Sequence, residues 1–366
     1  MSRLNFTLLL FLYVAAVVYL ATTTPVSPHE AKLFFSDYGL VATPMHAGHL
    51  LLYGHGFGPF LGIRIFFLLV GLFSIYLYYR VTHIYLEREE DRHLATAIYM
   101  LLPGIITALT LANISILVIP VVLIFLLAYD RGLLWAQALS MLLLFVIHDA
   151  AIVFFISIFI YALLRKEASL MGLSGFFLIL SAVTLRGVAI GGRPAGYFPD
   201  LFGLYAALFS PLLFIYFFYT MYRILLREKK NILWYISFFA LVGSLLLSVR
   251  QRVNLTDFAP YVVISIVLML DTYHKSVRIR LPEYRGRYRL GFSLVMLVLL
   301  LSSLTIVFHK LFFSVMSDPR KHFAAKLYEP YWLAKSLKKK GIYCDDLHDE
   351  RVATQLRFYG IESCRK

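Results

Sequence analysis

Charge is what this sequence has least of. Only 15% of its 366 residues are charged, where a soluble domain carries about 25%. Meanwhile 60% are hydrophobic, including 31 Phe and 25 Tyr. A soluble fold lacks the polar shell to cover so much apolar surface, which argues against a soluble enzyme. The same excess argues against a disordered chain. Cysteine is nearly absent, with only Cys344 and Cys364, so the chain is not a disulfide-built scaffold. The sequence also lacks the short alternating segments, about 10 residues each, that build an outer-membrane barrel. No internal repeat, low-complexity tract or long linker is present.

What is there is a series of long apolar runs. Eleven can be marked, at roughly 4–21, 59–79, 94–111, 114–129, 133–147, 150–164, 170–185, 203–222, 232–247, 259–272 and 290–308. Their length, about 15–20 residues, approaches what a spanning helix needs. The expected class is therefore an all-α polytopic membrane protein with about 11 transmembrane helices. Residues 1–308 would form the membrane domain and 309–366 a small C-terminal module. The first run follows Arg3 like a signal peptide, but no clear small-x-small cleavage site precedes Thr22, so we read it as a retained helix.

The net charge of +14 would suggest nucleic acid in a soluble protein. In a membrane protein it suggests cytoplasmic loops facing anionic lipid, and nucleic acid is rejected as a partner. With the N-terminus cytoplasmic, 17 Lys and Arg fall in inside loops, against 6 outside before the tail. That bias favours a cytoplasmic N-terminus and an extracytoplasmic tail. The tail's own 12 basic residues run against the trend. It reads as a mixed module, with a helix over 319–340 ended by Gly341, a short strand at 342–344 and a second helix over 350–359. Cys344 and Cys364 are either a disulfide or two free thiols.

The first outside loop, 22–58, is the most informative stretch. Ser27 and Glu30 form a Ser-x-x-Glu capping box, with Pro28 at the first helical position. The helix that follows carries Ala31, Phe34, Phe35 and Tyr38 on one stripe, with Glu30 and Asp37 at its edge. Glu30 is either a cap or a carboxylate placed to take a proton from an acceptor hydroxyl. Beyond it lie His46, His49 and His55, interleaved with Gly48, Gly54, Gly56 and Gly58. Three histidines in ten residues could bind a metal, whereas the glycines suggest a mobile loop.

A second group is basic. Arg186 and Arg193 bracket a Gly-Gly-Arg-Pro turn, Arg250 and Arg252 follow the ninth run, and Arg64 lies within the outer part of the second. Arginine in an apolar zone is costly unless it meets an anion or a carboxylate. Its planar fork suits a lipid phosphate or pyrophosphate, and snorkelling to headgroups is the plainer alternative. His148-Asp149 and Asn113 occupy further outside turns. Asn113-Ile-Ser and Asn254-Leu-Thr match glycosylation sequons, a pattern common by chance.

These elements together resemble a family. Helix one is followed by an outside amphipathic helix with acids. Then come Gly-Ile-Arg-Ile-Phe-Phe at 62–67, Leu-Leu-Pro-Gly at 101–104 and Ala-Tyr-Asp-Arg-Gly at 128–132. Over about residues 1–260 the order resembles the GT-C class of membrane glycosyltransferases, in particular the protein mannosyltransferase and aminoarabinose-transferase branch (glycosyltransferase family 39-like). The resemblance implies transfer of a sugar from a polyprenyl-phosphate donor to a lipid, glycan or protein acceptor, at the outer side of a cell inner membrane. The family's first-loop Asp-Glu corresponds here to His29-Glu30, so Glu30 is the implied catalytic acid, with Asp37 in reserve. A second acid of many relatives is replaced by Asn113. Arg64, Arg193, Arg250 and Arg252, with His29 and Asn113, are the implied substrate-binding residues, and Glu30, Arg193 and Arg252 are expected to share an outside-facing cavity. The chemistry would be a single inverting displacement, with arginine stabilising the departing phosphate. No cofactor is required for it, and a divalent cation is compatible. The alternatives are a transporter or flippase of lipid-linked sugar, and a non-catalytic protein of envelope-glycan assembly.

Overall fold

The computed structural model describes residues 1–366 except 37–38, 54–57, 185–190, 192–195, 317, 346–348 and 365–366. Among the described residues each of the eleven apolar runs is mainly helical, and three of them are broken. The first is α1 (Arg3–Thr23). The first loop holds two helices, α2 (Pro28–Phe34) and α3 (Gly39–Tyr53). Next come α4 (Pro59–Tyr85), then α5 (Glu89–Leu101) and α6 (Pro103–Thr110) in place of one continuous third run. Runs four to seven are α7 (Ser115–Asp130), α8 (Leu134–Ile147), α9 (Ile152–Arg165) and α10 (Ala168–Val183). The eighth is again broken, into α11 (Phe198–Phe209) and α12 (Pro211–Arg227). After α13 (Ile232–Ser248), the tenth divides into α14 (Ala259–Val263) and α15 (Ile266–Ile279), and α16 (Pro282–Val307) is the eleventh. The tail carries α17 (His309–Val315), α18 (Ala325–Lys339) and α19 (Glu350–Phe358).

Among the described residues three helices, α1, α4 and α16, are long and apolar enough to cross a membrane, and up to five spans result if each bent pair counts as one. The apolar α7, α8, α10 and α13 are shorter than a full span. Only 11% of the most apolar window of α16 is buried, and Leu290, Leu297 and Leu301 stand exposed. Water would penalise such a surface by about 25 cal/mol per Å², whereas lipid would not. The architecture is thus all-helical and consistent with a membrane protein.

The two sharply bent breaks, in the third and eighth runs, have local causes. Leu102, at ψ 127°, precedes Pro103 and turns the third run by 60°, because the proline ring drives the preceding residue out of the helical region. Gly104 follows, and a Cβ there would lie 2.0 Å from Leu208 Cδ1, so a side chain at this position would force Leu208 to shift. Ser210 precedes Pro211, sits at φ +96° and turns the eighth run by 106°.

The chain divides into two compact units that are not consecutive in sequence. The larger contains residues 1–11, 70–106 and 114–303. Here α7 packs on α8, and α9 on α10 and α13, around Phe125, Phe154, Phe155 and Tyr261. Tyr78 stacks on Tyr99 at 4.2 Å, and buried serines such as Ser157 and Ser174 bond back to carbonyls of their own helices. The smaller unit contains residues 12–69, 107–113 and 304–366. It joins the first loop to the tail. Val26 donates its N–H to Tyr359 Oη at 2.9 Å and accepts from Gln355 Nε2 at 2.8 Å. Phe358 packs edge-on against Phe34 at 5.3 Å, and Arg357 lies over Phe35.

In the tail, the expected first helix begins at Ala325, after a 3₁₀ turn at Pro319–Lys321, and ends at Lys339, with Gly341 at φ +73°. The expected strand is only a single parallel bridge between Cys344 and Glu362, and no strand occurs among the described residues. Cys344 and Cys364 form a disulfide.

Candidate functional site in the first loop

The site is built from one helix end, one helix start and one side chain from far along the chain. The last turn of α1 leaves carbonyls with no partner in the helix, and the first turn of α2 leaves N–H groups. The sequence supplies α2 with its cap. Glu30 N–H donates to Ser27 Oγ at 3.1 Å, and Ser27 N–H donates to Glu30 Oε2 at 2.8 Å, completing the box.

Arg64, from the first turns of α4, supplies the rest. Its Nε donates to Glu30 Oε1 at 2.6 Å and its Nη2 to Glu30 Oε2 at 2.8 Å. Its Nη1 donates to Ala21 O at 3.0 Å and Thr24 O at 2.7 Å, and Nη2 also to Pro25 O at 3.0 Å. All five guanidinium N–H groups are therefore used. Both residues are 0% exposed. A cation closes the negative end of α1 while an anion closes the positive end of α2, the arrangement helix dipoles favour. A buried pair is tolerated only when every remaining polar site is satisfied, and here each is.

This geometry changes the role read for Glu30. Both carboxylate oxygens are engaged and neither reaches solvent, so Glu30 holds the turn and presents no oxygen to a substrate. Arg64 likewise has no donor left for a phosphate. The exposed members of α2 are His29 and Lys32, one helical turn apart. Desolvation by the packed turn, helped by Lys32 and opposed by Glu30, holds the His29 imidazole below its ordinary range.

The histidine-glycine stretch, expected as a loop or a metal site, is mostly the helix α3. Gly48 and Gly62 are the reason α3 packs so closely on α4. A Cβ at Gly48 would lie 2.2 Å from Gly62 O, and one at Gly62 would lie 2.8 Å from Gly48 O. His46 places its Nε2 2.9 Å from Phe34 O, and His49 lies edge-on to Phe34 and Phe358. Among the described residues no group of three His, Cys, Asp or Glu side chains gathers to hold a metal ion. His55, Asp37, Arg186 and Arg193 lie outside the described residues.

Asn113 belongs to the same unit as Glu30 and follows Ala112, which has φ +40°. Arg250 and Arg252 belong to the larger unit, and both are exposed. Arg252 Nε lies 3.9 Å from Asp200 Oδ2, with the two side chains 81% and 63% exposed, and its guanidinium lies over Tyr197. These residues line a groove of about 580 Å³ with Leu201 and Asn254. Beside it in sequence is a group that composition did not single out. His148 Nδ1 lies 3.2 Å from Tyr261 Oη, and its Nε2 3.8 Å from Asp257 Oδ1. The separation of 113 positions between His148 and Tyr261 hid that contact; only the His-Asp turn was visible. No family model, no curated protein and no solved structure matches the chain.

Proposed function

We propose that the chain is a membrane glycosyltransferase that moves a sugar from a polyprenyl-phosphate donor to a lipid, glycan or protein acceptor, with His29 rather than Glu30 as its general base. The observation that carries the reading is an exposed imidazole on a turn locked by a saturated buried ion pair. The acceptor oxygen attacks the anomeric carbon, the carbon–oxygen bond to the polyprenyl phosphate breaks, and His29 takes the acceptor's proton. The displaced phosphate keeps the electron pair and meets the Lys32 ammonium, a suitable point charge for it. An imidazole with a lowered pKa stays neutral, and so competent as a base, at neutral pH.

The outward placement of this turn has two supports. The tail packs on the first loop within one unit, so a membrane crossed by α1 has both on the same side. The Cys344–Cys364 disulfide suits an oxidising compartment, which supports an extracytoplasmic reading of that side.

The test is turnover in reconstituted vesicles with a radiolabelled polyprenyl-phosphate hexose. His29→Ala should cut turnover by about 10²–10⁴-fold while donor binding persists. Lys32→Gln should weaken donor binding. Wild-type turnover should hold constant from neutral pH to below the ordinary histidine range, about 6.5, before it falls. Full turnover in His29→Ala would remove the reading.

A second reading, translocation of a lipid-linked sugar, is favoured by the larger unit alone. Discontinuous helices are a transporter feature, and α11–α12 is bent by 106°. The Arg252 groove is lined by the first residues of α11. Movement of the hexose across the vesicle membrane without transfer would select it.

A further inference from the structure

The C-terminal ends of α12 and α15 frame a second groove, of about 440 Å³, in the larger unit. Its polar lining is Tyr219, Tyr222, Arg223, Arg227, Ser276 and Arg280, with no carboxylate among the described lining residues. The three arginines are not equivalent. Arg223 bonds Ser276 Oγ and pairs with Glu228 at 3.2 Å, so it is partly neutralised. Arg280 lies 4.2 Å over the Tyr288 ring, a contact that leaves its N–H edge open. Arg227 is exposed on the last turn of α12. The groove therefore offers concentrated positive charge at one spot.

Its rim is apolar. Leu226 is 59% exposed and Ile279 is 79% exposed. From Leu226 an exposed stripe runs back along α12 through Tyr222, Phe218 and Ile215, spaced at three to four residues as one helix face requires. Cations beside tyrosines, at the head of an apolar stripe, are the pattern of a membrane–water interface. A free anion would need the cations but not the stripe. A hydrocarbon chain would need the stripe but not the cations.

We propose that this groove binds the phosphate of an anionic phospholipid, with Arg227 and Arg280 on the headgroup and the acyl chains along α12. The loops that carry it, 223–230 and 271–289, hold 10 of the 17 basic residues assigned to the inside. That places the lipid in the cytoplasmic leaflet, where basic pockets between helices take such headgroups. The site is independent of the sugar-transfer reading and stands or falls separately from it.

Native mass spectrometry of the full chain, released from detergent with added lipid, tests it. Phosphatidylglycerol should be retained at least tenfold more than phosphatidylcholine, and millimolar inorganic phosphate should not displace it. Arg227→Gln and Arg280→Gln should each weaken retention about fivefold, the effect of one cation near a headgroup. Arg227→Lys and Arg280→Lys keep the charge but lose the fork; they should weaken retention about twofold and serve if the glutamine variants do not fold. Equal retention of both lipids, displacement by phosphate, or unchanged retention in every folded variant would overturn the proposal.

Discussion

Arg64 and Arg252 were both expected to meet an anion on the outer side, and the two units give them opposite surroundings. Arg64 is wholly buried with all five N–H groups engaged by a carboxylate and three carbonyls. Arg252 is largely exposed, with an acid at 3.9 Å and an open groove beside it. The same residue type is a structural fastener in one unit and an unspent donor in the other. What decides is desolvation. A buried guanidinium must be saturated or the fold loses several kcal/mol, and once saturated it cannot serve a substrate. The backbone shows a parallel contrast. The smaller unit closes the start of α2 with a capping box, whereas the larger keeps Ser210 at φ +96°, ψ 149°, a region almost reserved for glycine.

The largest expected effect comes from undoing the fastener. Arg64→Ala should lower stability by about 3–5 kcal/mol, because Glu30 is left as an unpaired buried charge. Glu30→Ala should cost a similar amount, and the double variant clearly less than the sum of the two. Thermal unfolding of the detergent-solubilised protein reads all three. If Arg64→Ala melts like wild type, the pair is not what holds the loop. Cys344→Ser comes next. A disulfide closing a separation of 20 residues contributes about 3 kcal/mol. The loss should be confined to the tail, seen as faster proteolysis after α18 with the melting of the helical body unchanged.

The distance between partners explains what the sequence revealed. The capping box at Ser27 and Glu30 was legible because its bonds span three residues, and helix chemistry alone dictates them. Arg64 was legible as an arginine out of place, but its partner 34 residues away was not, since that contact exists only once α4 packs against the end of α1. Gly48 and its neighbours misled for a physical reason. Glycine marks both mobile loops and close helix contacts, and only the approach of Gly62 tells them apart. Hydropathy found the third and eighth runs but not their bends. It records how apolar a run is, whereas Pro103 and Pro211 set its direction. The disulfide stayed open in the sequence because pairing depends on where the Glu350–Phe358 helix returns the chain.

The last two predictions sharpen the contrast in the larger unit, where effects should be smaller. Ser210→Gly removes the strain and also a buried hydroxyl without a partner. It should therefore raise stability by about 1 kcal/mol. A gain here would show that the bend between α11 and α12 is held at a cost in stability. Arg252→Ala should change stability by less than about 0.5 kcal/mol, since an exposed ion pair at this distance is worth little. That near-zero value is the informative one. A side chain that contributes nothing to folding yet lies over Tyr197 at the mouth of a groove is free to bind. Under the translocation reading the same variant should therefore weaken retention of a polyprenyl phosphate while its melting curve stays put. A large drop in melting temperature would instead make Arg252 a second fastener and erase the difference between the two arginines.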